Sequence, residues 1–188
     1  KVYGVMNTAA DVTDLNIAKL KVEQSEQNFR NMVAQAPVAM CIMTGPDHVV
    51  EVANDLMYEL WGKPVESIIN KPIFEGLPDA RGQGFESALE NVYRTGNSFE
   101  ANEASVVLFR NGKFETVYQN FVYQPYRDAN GDILGVLAIS IDVTAQVLAR
   151  QQIEEVVKER TESLRRTNAE LSQFAYITSH DLQEPARK

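Results

Sequence analysis

The chain has 188 residues, 44% of them hydrophobic, and its 26 acidic and 18 basic side chains give a formal net charge of −8. That balance argues against a nucleic-acid-binding surface, which needs clustered Lys and Arg to displace counterions. One cysteine, Cys41, and two histidines, His48 and His180, are too few for an intramolecular disulfide or for a metal centre built from thiolates or imidazoles.

The chain opens at Lys1 and stops at Lys188 inside a helical pattern, so it reads as a piece of a longer protein. Two segments echo each other. Gly4 is followed seven residues later by Asp11 and then Val12-Thr13; Gly135 is followed at the same spacing by Asp142 and then Val143-Thr144. Each reads as a strand that ends at Asp, with Thr near the start of a helix whose free N–H groups both side chains can satisfy. Residues 1–13 are thus expected to be the last strand of an upstream domain, and residues 34–144 a complete second domain. Between them, 14–33 reads as a helical linker. Leu15, Val22 and Phe29 recur every seven residues, with Ala18, Ser25 and Met32 offset by three, a short seam suited to a parallel dimer.

The middle region reads as mixed α and β. Val38 to Met43 and His48 to Ala53 are β-branched runs separated by Thr44-Gly45-Pro46-Asp47, hence a hairpin. Asn54 is expected to cap a short helix that Gly62 and Pro64 stop. Pro72, Gly76 and Pro78 leave room only for short helical turns after Ser67. Phe85, Leu89, Val92 and Tyr93 repeat at helical spacing, and Gly96 ends that helix. Phe99–Arg110, Phe114–Arg127 and Ile133–Ile141 then read as three strands, joined by Asn111-Gly112 and by Asp128-Ala129-Asn130-Gly131. The last run is far shorter than the roughly 20 apolar residues that span a bilayer. Cys41 reads as a small buried hydrophobe, and His48 as a turn-flanking residue. Tyr58, Trp61, Phe74, Phe85, Tyr93, Tyr118 and Phe121 read first as core and second as the lining of a pocket.

No Gly or Pro interrupts the chain from Thr144 to Glu184, and helix formers dominate it. Val157, Leu164, Leu171 and Thr178 lie seven apart; Ile153 and Phe174 share a companion seam whose other positions, Arg160 and Thr167, are polar. About 40 residues make a helix of roughly 60 Å at 1.5 Å per residue, too long for one small domain to cover. Residues 145–170 are expected to be a coiled-coil linker, through which the chain forms a homodimer.

The order β-β-α-α-α-β-β-β, with Asn54 after the second strand, Thr95-Gly96 closing the long helix, Gly131 and Gly135 around the last hairpin, and Asp142-Val143-Thr144 at the close, resembles the PAS sensor-domain family. The resemblance implies an α+β fold: a five-stranded antiparallel sheet with helices on one face, flanked by N- and C-terminal coiled-coil signalling helices. It also implies structural roles for Asn54 and Gly135 and a signal-coupling role for Asp142 and Thr144, mirrored upstream by Asp11 and Thr13. Family members bind haem, flavin or small metabolites, or nothing. Residues 83–95 hold no histidine for haem, and Cys41 is not on a helix of the light-oxygen-voltage type, so both cofactors are disfavoured and the ligand stays open.

Farther on, Ser179-His180-Asp181-Leu182-Gln183-Glu184-Pro185-Ala186-Arg187 resembles the H box of sensor histidine kinases in its phytochrome-like spelling. Residues 171–188 would then begin the dimerisation and phosphoacceptor helix. The resemblance implies His180 as phosphoacceptor, Asp181 as the group that orients it, and a kink at Pro185. It further implies ATP and Mg²⁺ for the parent kinase, a response-regulator receiver domain as partner, and a cytoplasmic location. This fragment, without an ATP-binding domain, should be inactive alone. Glu184 stands where many relatives carry Thr or Asn, which argues against strong phosphatase activity. The alternative is a ligand-free PAS dimerisation module within a signalling protein.

Overall fold

The computed structural model describes the backbone of residues 6–183 and the side chains of residues 15–178. The chain forms two compact units; the first ends at Val143 and the second begins at Thr144.

The first unit holds α1 (Met6–Ala34), β1 (Ala39–Thr44), β2 (Val49–Ala53), α2 (Asp55–Trp61), α3 (Val65–Ile68), α4 (Ile73–Gly76), a single 3₁₀ turn (Pro78–Ala80), α5 (Phe85–Thr95), β3 (Phe99–Arg110), β4 (Lys113–Arg127) and β5 (Ile133–Asp142). The strands make one antiparallel sheet in the order β2-β1-β5-β4-β3. Asn111 (φ 55°) and Gly112 (φ 78°) both take the left-handed conformation that a tight two-residue hairpin demands. Gly135 lies opposite Thr44 on β1, and a Cβ there would run into the Met43 carbonyl, so only glycine lets β5 approach.

Strand alternation sorts the side chains into two layers. On one face Val136, Ala138, Val117, Phe121, Val106 and Leu108 pack under Met57, Leu60, Ile68, Ile73, Leu89 and Val92 of the helices, forming the main core. On the other face a smaller cluster joins Ile42, Val52, Met40 and Leu137 to Val33 and Phe29 of α1. Phe29 stacks on Tyr126 with ring centroids 6.5 Å apart. The seven-residue spacing that groups Phe29 with Leu15 and Val22 therefore fails at its last member. Phe29 is drawn onto its own sheet, while Leu15, Val22 and Met32 stay 66–71% exposed.

A second correction concerns the N-terminus. The strand expected over 1–13 is not found: from Met6 onward these residues belong to α1, and residues 1–5, Gly4 among them, lie outside the described residues. A strand needs a neighbour to take up its N–H and C=O groups. A helix satisfies its backbone groups within itself and needs no such neighbour.

Both sheet borders are covered in part. Beside β2, the Val50 amide donates to the Lys71 carbonyl (3.0 Å) and the Asn70 amide to the Val50 carbonyl (2.8 Å). Beside β3, side chains stand in for a strand. Gln83 donates to the Val107 carbonyl and accepts from the Val107 amide, both at 2.9 Å, while Phe109 gives its amide to Asp79 Oδ2 (2.6 Å) and takes Lys63 Nζ at its carbonyl (3.0 Å). Lys63 and Asp79 pair at 3.1 Å with little exposure, which holds the clamp shut.

The second unit is α6, one helix from Thr144 to Gln183. Its polar face carries the pairs Arg150–Glu154 (3.7 Å) and Arg166–Glu170 (3.2 Å) at i, i+4 spacing. Among the described residues no helix is long and apolar enough to cross a membrane.

Candidate functional site

Two features of the first unit can serve function: an interior cavity, and the corner where β5 ends. The cavity lies between sheet and helices and measures about 60 Å³. Cys41 and Met43 of β1, Met57, Leu60 and Trp61 of α2, Phe74 of α4, Phe85 and Leu89 of α5 and Phe121 of β4 supply an apolar lining. Of the aromatic residues proposed from sequence, Trp61, Phe74, Phe85 and Phe121 reach it. Tyr58 and Tyr93 pack at the margin of the core. Tyr118, one residue on from buried Val117, belongs to the opposite face.

The polar lining was not singled out from sequence. Ser140 Oγ donates to Gln119 Oε1 at 2.7 Å, and both residues line the cavity. They are polar side chains on the inward parity of β4 and β5, between Val117 and Phe121 and next to Ala138; that parity is the signal that could have found them. Burial pushes the Cys41 thiol up to about 12, outweighing its bond to the Ala138 backbone, so it stays a protonated thiol. Burial likewise raises the Tyr123 phenol, with Cys41 adding to the effect. At neutral pH these four side chains are uncharged, so the cavity suits a neutral occupant.

The sequence of α5 holds no histidine, and Cys41 sits on β1.

Asn54 locks the corner after β2. It is 3% exposed and caps α2, its Oδ1 accepting from the Met57 amide (3.1 Å) and the Met40 amide (3.0 Å). Its Nδ2 donates to the carbonyls of Val38 (2.8 Å) and Ala36 (3.4 Å). One side chain thus ties the residues after α1, the start of β1 and the start of α2 together. His48 flanks the turn before β2, as its place in the sequence implies, and is buried as well. It lies in the turn at φ 51°, and its ring is buried against Tyr93, with centroids 5.7 Å apart. Its Nδ1 has no hydrogen-bond partner, and its Nε2 stands 3.9 Å from Glu90. Desolvation lowers its pKa, against the opposing pull of Glu90 and Asp47.

At the other corner Asp142 ends β5 opposite Gln119, and Arg110 reaches its carboxylate at 3.4 Å. The Val143 amide donates to the Tyr118 carbonyl at 2.8 Å, and Thr144 opens α6. His180 and Asp181 lie in the final stretch of α6, and Asp11 and Thr13 lie in α1. The side chains of all four are outside the described residues, as are Glu184, Pro185 and Arg187 entirely. Among the described residues no group of three His, Cys, Asp or Glu side chains is placed to hold a metal ion.

This architecture has relatives. The chain is 22% identical over 175 residues to the two-component sensor PprA of Pseudomonas aeruginosa, covering 93% of this chain and 18% of that protein's length. An RNA-binding light-oxygen-voltage receptor shares the fold with a TM-score of 0.55 at 18% identity, over 73% of this chain and 38% of that one. A Rhodobacter sphaeroides light-oxygen-voltage protein does so with a TM-score of 0.52 at 13% identity, over 64% of this chain and 68% of that one. At such identities these two structures speak for fold alone. The PAS fold family profile matches residues 33–148, the span of the sheet, its helices and the first turn of α6, and the chain belongs to that family.

Proposed function

We propose that this chain is the sensory and relay part of a two-component sensor histidine kinase. In this reading the PAS domain biases the connector α6, and the connector sets the geometry at His180. The observation that carries it is the sequence Ser179-His180-Asp181-Leu182-Gln183-Glu184-Pro185, reached by an unbroken helix that starts where the sheet ends. The likeness to a two-component sensor supports the same class.

The chemistry follows from the residue types. A neutral imidazole nitrogen of His180 attacks the γ-phosphorus of ATP in line with the departing ADP oxygen; an N–P bond forms and the P–O bond to ADP breaks. Asp181 holds the other ring N–H and stabilises the positive charge that develops. The phosphoryl group then passes to an aspartate of a receiver domain. ATP and Mg²⁺ are handled by a nucleotide-binding domain of the parent, two chains pair through their helices, and Glu184 keeps the separate phosphatase reaction, in which water takes the phosphoryl group from the receiver aspartate, weak.

The test is incubation of the full-length parent with γ-labelled ATP. We expect an acid-labile, alkali-stable label that His180→Gln reduces to background. Label that persists in the variant overturns the assignment.

A second reading, a PAS module that dimerises without a ligand, is favoured by the small volume of the cavity. Native mass spectrometry of the purified protein separates the two: added mass on each protomer supports a ligand sensor, and the bare dimer mass supports the second.

A further inference from the structure

Arg110 closes β3 and stands where three parts of the first unit meet. Its Nε donates to Glu115 Oε2 on β4 at 2.8 Å, and its Nη1 reaches both Asp142 Oδ2 at the end of β5 and the Leu60 carbonyl of α2, each at 3.4 Å. The side chain is 17% exposed, so solvent screens these contacts only in part. Glu115 is held from its other side by Lys113 at 3.2 Å. The end of α2 is shaped to admit the arginine: Gly62, at φ 63°, terminates the helix, and a Cβ there would overlap the Arg110 Cβ.

Each of these partners has a further connection. Leu60 and its neighbour Trp61 line the interior cavity. The Leu60 carbonyl belongs to the last turn of α2, where carbonyls lack partners within the helix and carry its negative pole. Asp142 is two residues before Thr144, where α6 begins.

We propose that Arg110 is a positioning residue that carries a displacement of the α2 wall of the cavity to Asp142, and from there along the chain to the start of α6. The guanidinium is planar and rigid, so its nitrogens cannot move independently. With Nε pinned by Glu115, a shift of the Leu60 carbonyl swings Nη1, the same nitrogen that reaches Asp142. Its use as a signal relay rests on the sensor reading above; the mechanical link between α2 and β5 does not.

The experiment uses amide hydrogen exchange in the intact chain. Leu60→Ala perturbs the α2 wall, the Val143 amide reports the end of β5, and the Val50 amide on β2 serves as the internal reference. We expect Leu60→Ala to speed Val143 exchange about tenfold relative to Val50, and the same change in an Arg110→Met background to do so less than about twofold. Arg110→Lys, a point charge that cannot span three partners, should fall between and serves alone if Arg110→Met does not fold. An equal acceleration with and without the guanidinium, or none in either, overturns the link. Because this readout needs no phosphoryl transfer, an unlabelled His180 would defeat the kinase reading without touching it.

Discussion

In the sheet domain Leu89, Val92 and Val136 are exposed by 1% or less, whereas Ile153, Leu164 and Leu171 of α6 keep 61–70% of their surface open to solvent. The two regions use similar residues for different ends. A buried aliphatic side chain contributes about 1.5–3 kcal/mol to folding, and the domain collects that gain inside a single chain. Along α6 the seven-spaced apolar residues contribute nothing of the kind, and the charge pairs beside them are worth about 0.2–0.5 kcal/mol each. The domain is self-sufficient. The helix leaves these apolar side chains open to solvent, and in the reading proposed above a second copy covers them.

Three substitutions or conditions sharpen this contrast, taken in order of their effect on the domain. Asn54→Ala removes the partners of the Met40 amide and the Val38 carbonyl and leaves the Met57 amide only its bond to the residue-54 backbone carbonyl, and an orphaned buried polar group costs about 1–3 kcal/mol. We expect the unfolding free energy of the domain, read by denaturant titration, to fall by about 3–4 kcal/mol. A loss below about 1 kcal/mol would show that the corner does not depend on this side chain.

Acid should act next, through His48. Its folded pKa lies below the ordinary value because burial disfavours the imidazolium more than Glu90 and Asp47 favour it. The folded state therefore binds fewer protons than the unfolded one below about pH 6.5, so this contribution is complete above that pH and is lost as pH falls toward the folded pKa. Thermal scans between pH 7.5 and 5.5 should show a midpoint that declines with acid, and His48→Phe should flatten the slope.

The smallest effect on the domain belongs to Leu164→Asp. On an exposed helix position it should leave the denaturant midpoint of the domain within about 0.5 kcal/mol of the parent. The same change should shift the sedimentation mass from dimer to monomer, since it places like charges across the proposed seam. A dimer that persists would remove α6 from the interface.

What sequence could show depended on how local the determinant is. The β3–β4 hairpin was legible because Asn111-Gly112 encodes its own turn, and α2 because Asn54 and Gly62 mark both its ends. The helix over 6–13 was not, since a Gly-to-Asp spacing shared with β5 is too short a pattern to fix the type of element that carries it. Phe29 misled for a related reason: heptad spacing records which residues share a helix face, while Tyr126, nearly a hundred residues later, decides what that face meets. Gln119 and Ser140 became a pair only through the β4–β5 register, and Arg110 read as a residue flanking a turn until α2, β4 and β5 were brought around it. His180 is the opposite case, a motif conspicuous in sequence whose side chain lies beyond the described geometry.

The side-chain clamp over β3 constrains how copies of this protein can accumulate. At Val107 and Phe109 the outward amide and carbonyl groups already have partners in Gln83, Asp79 and Lys63. An extended peptide drifting alongside finds no vacant ladder rungs at these positions. Ribbon growth by strand addition is thereby blocked at these two positions, which leaves the proposed pairing of helices without a competing strand-to-strand contact there.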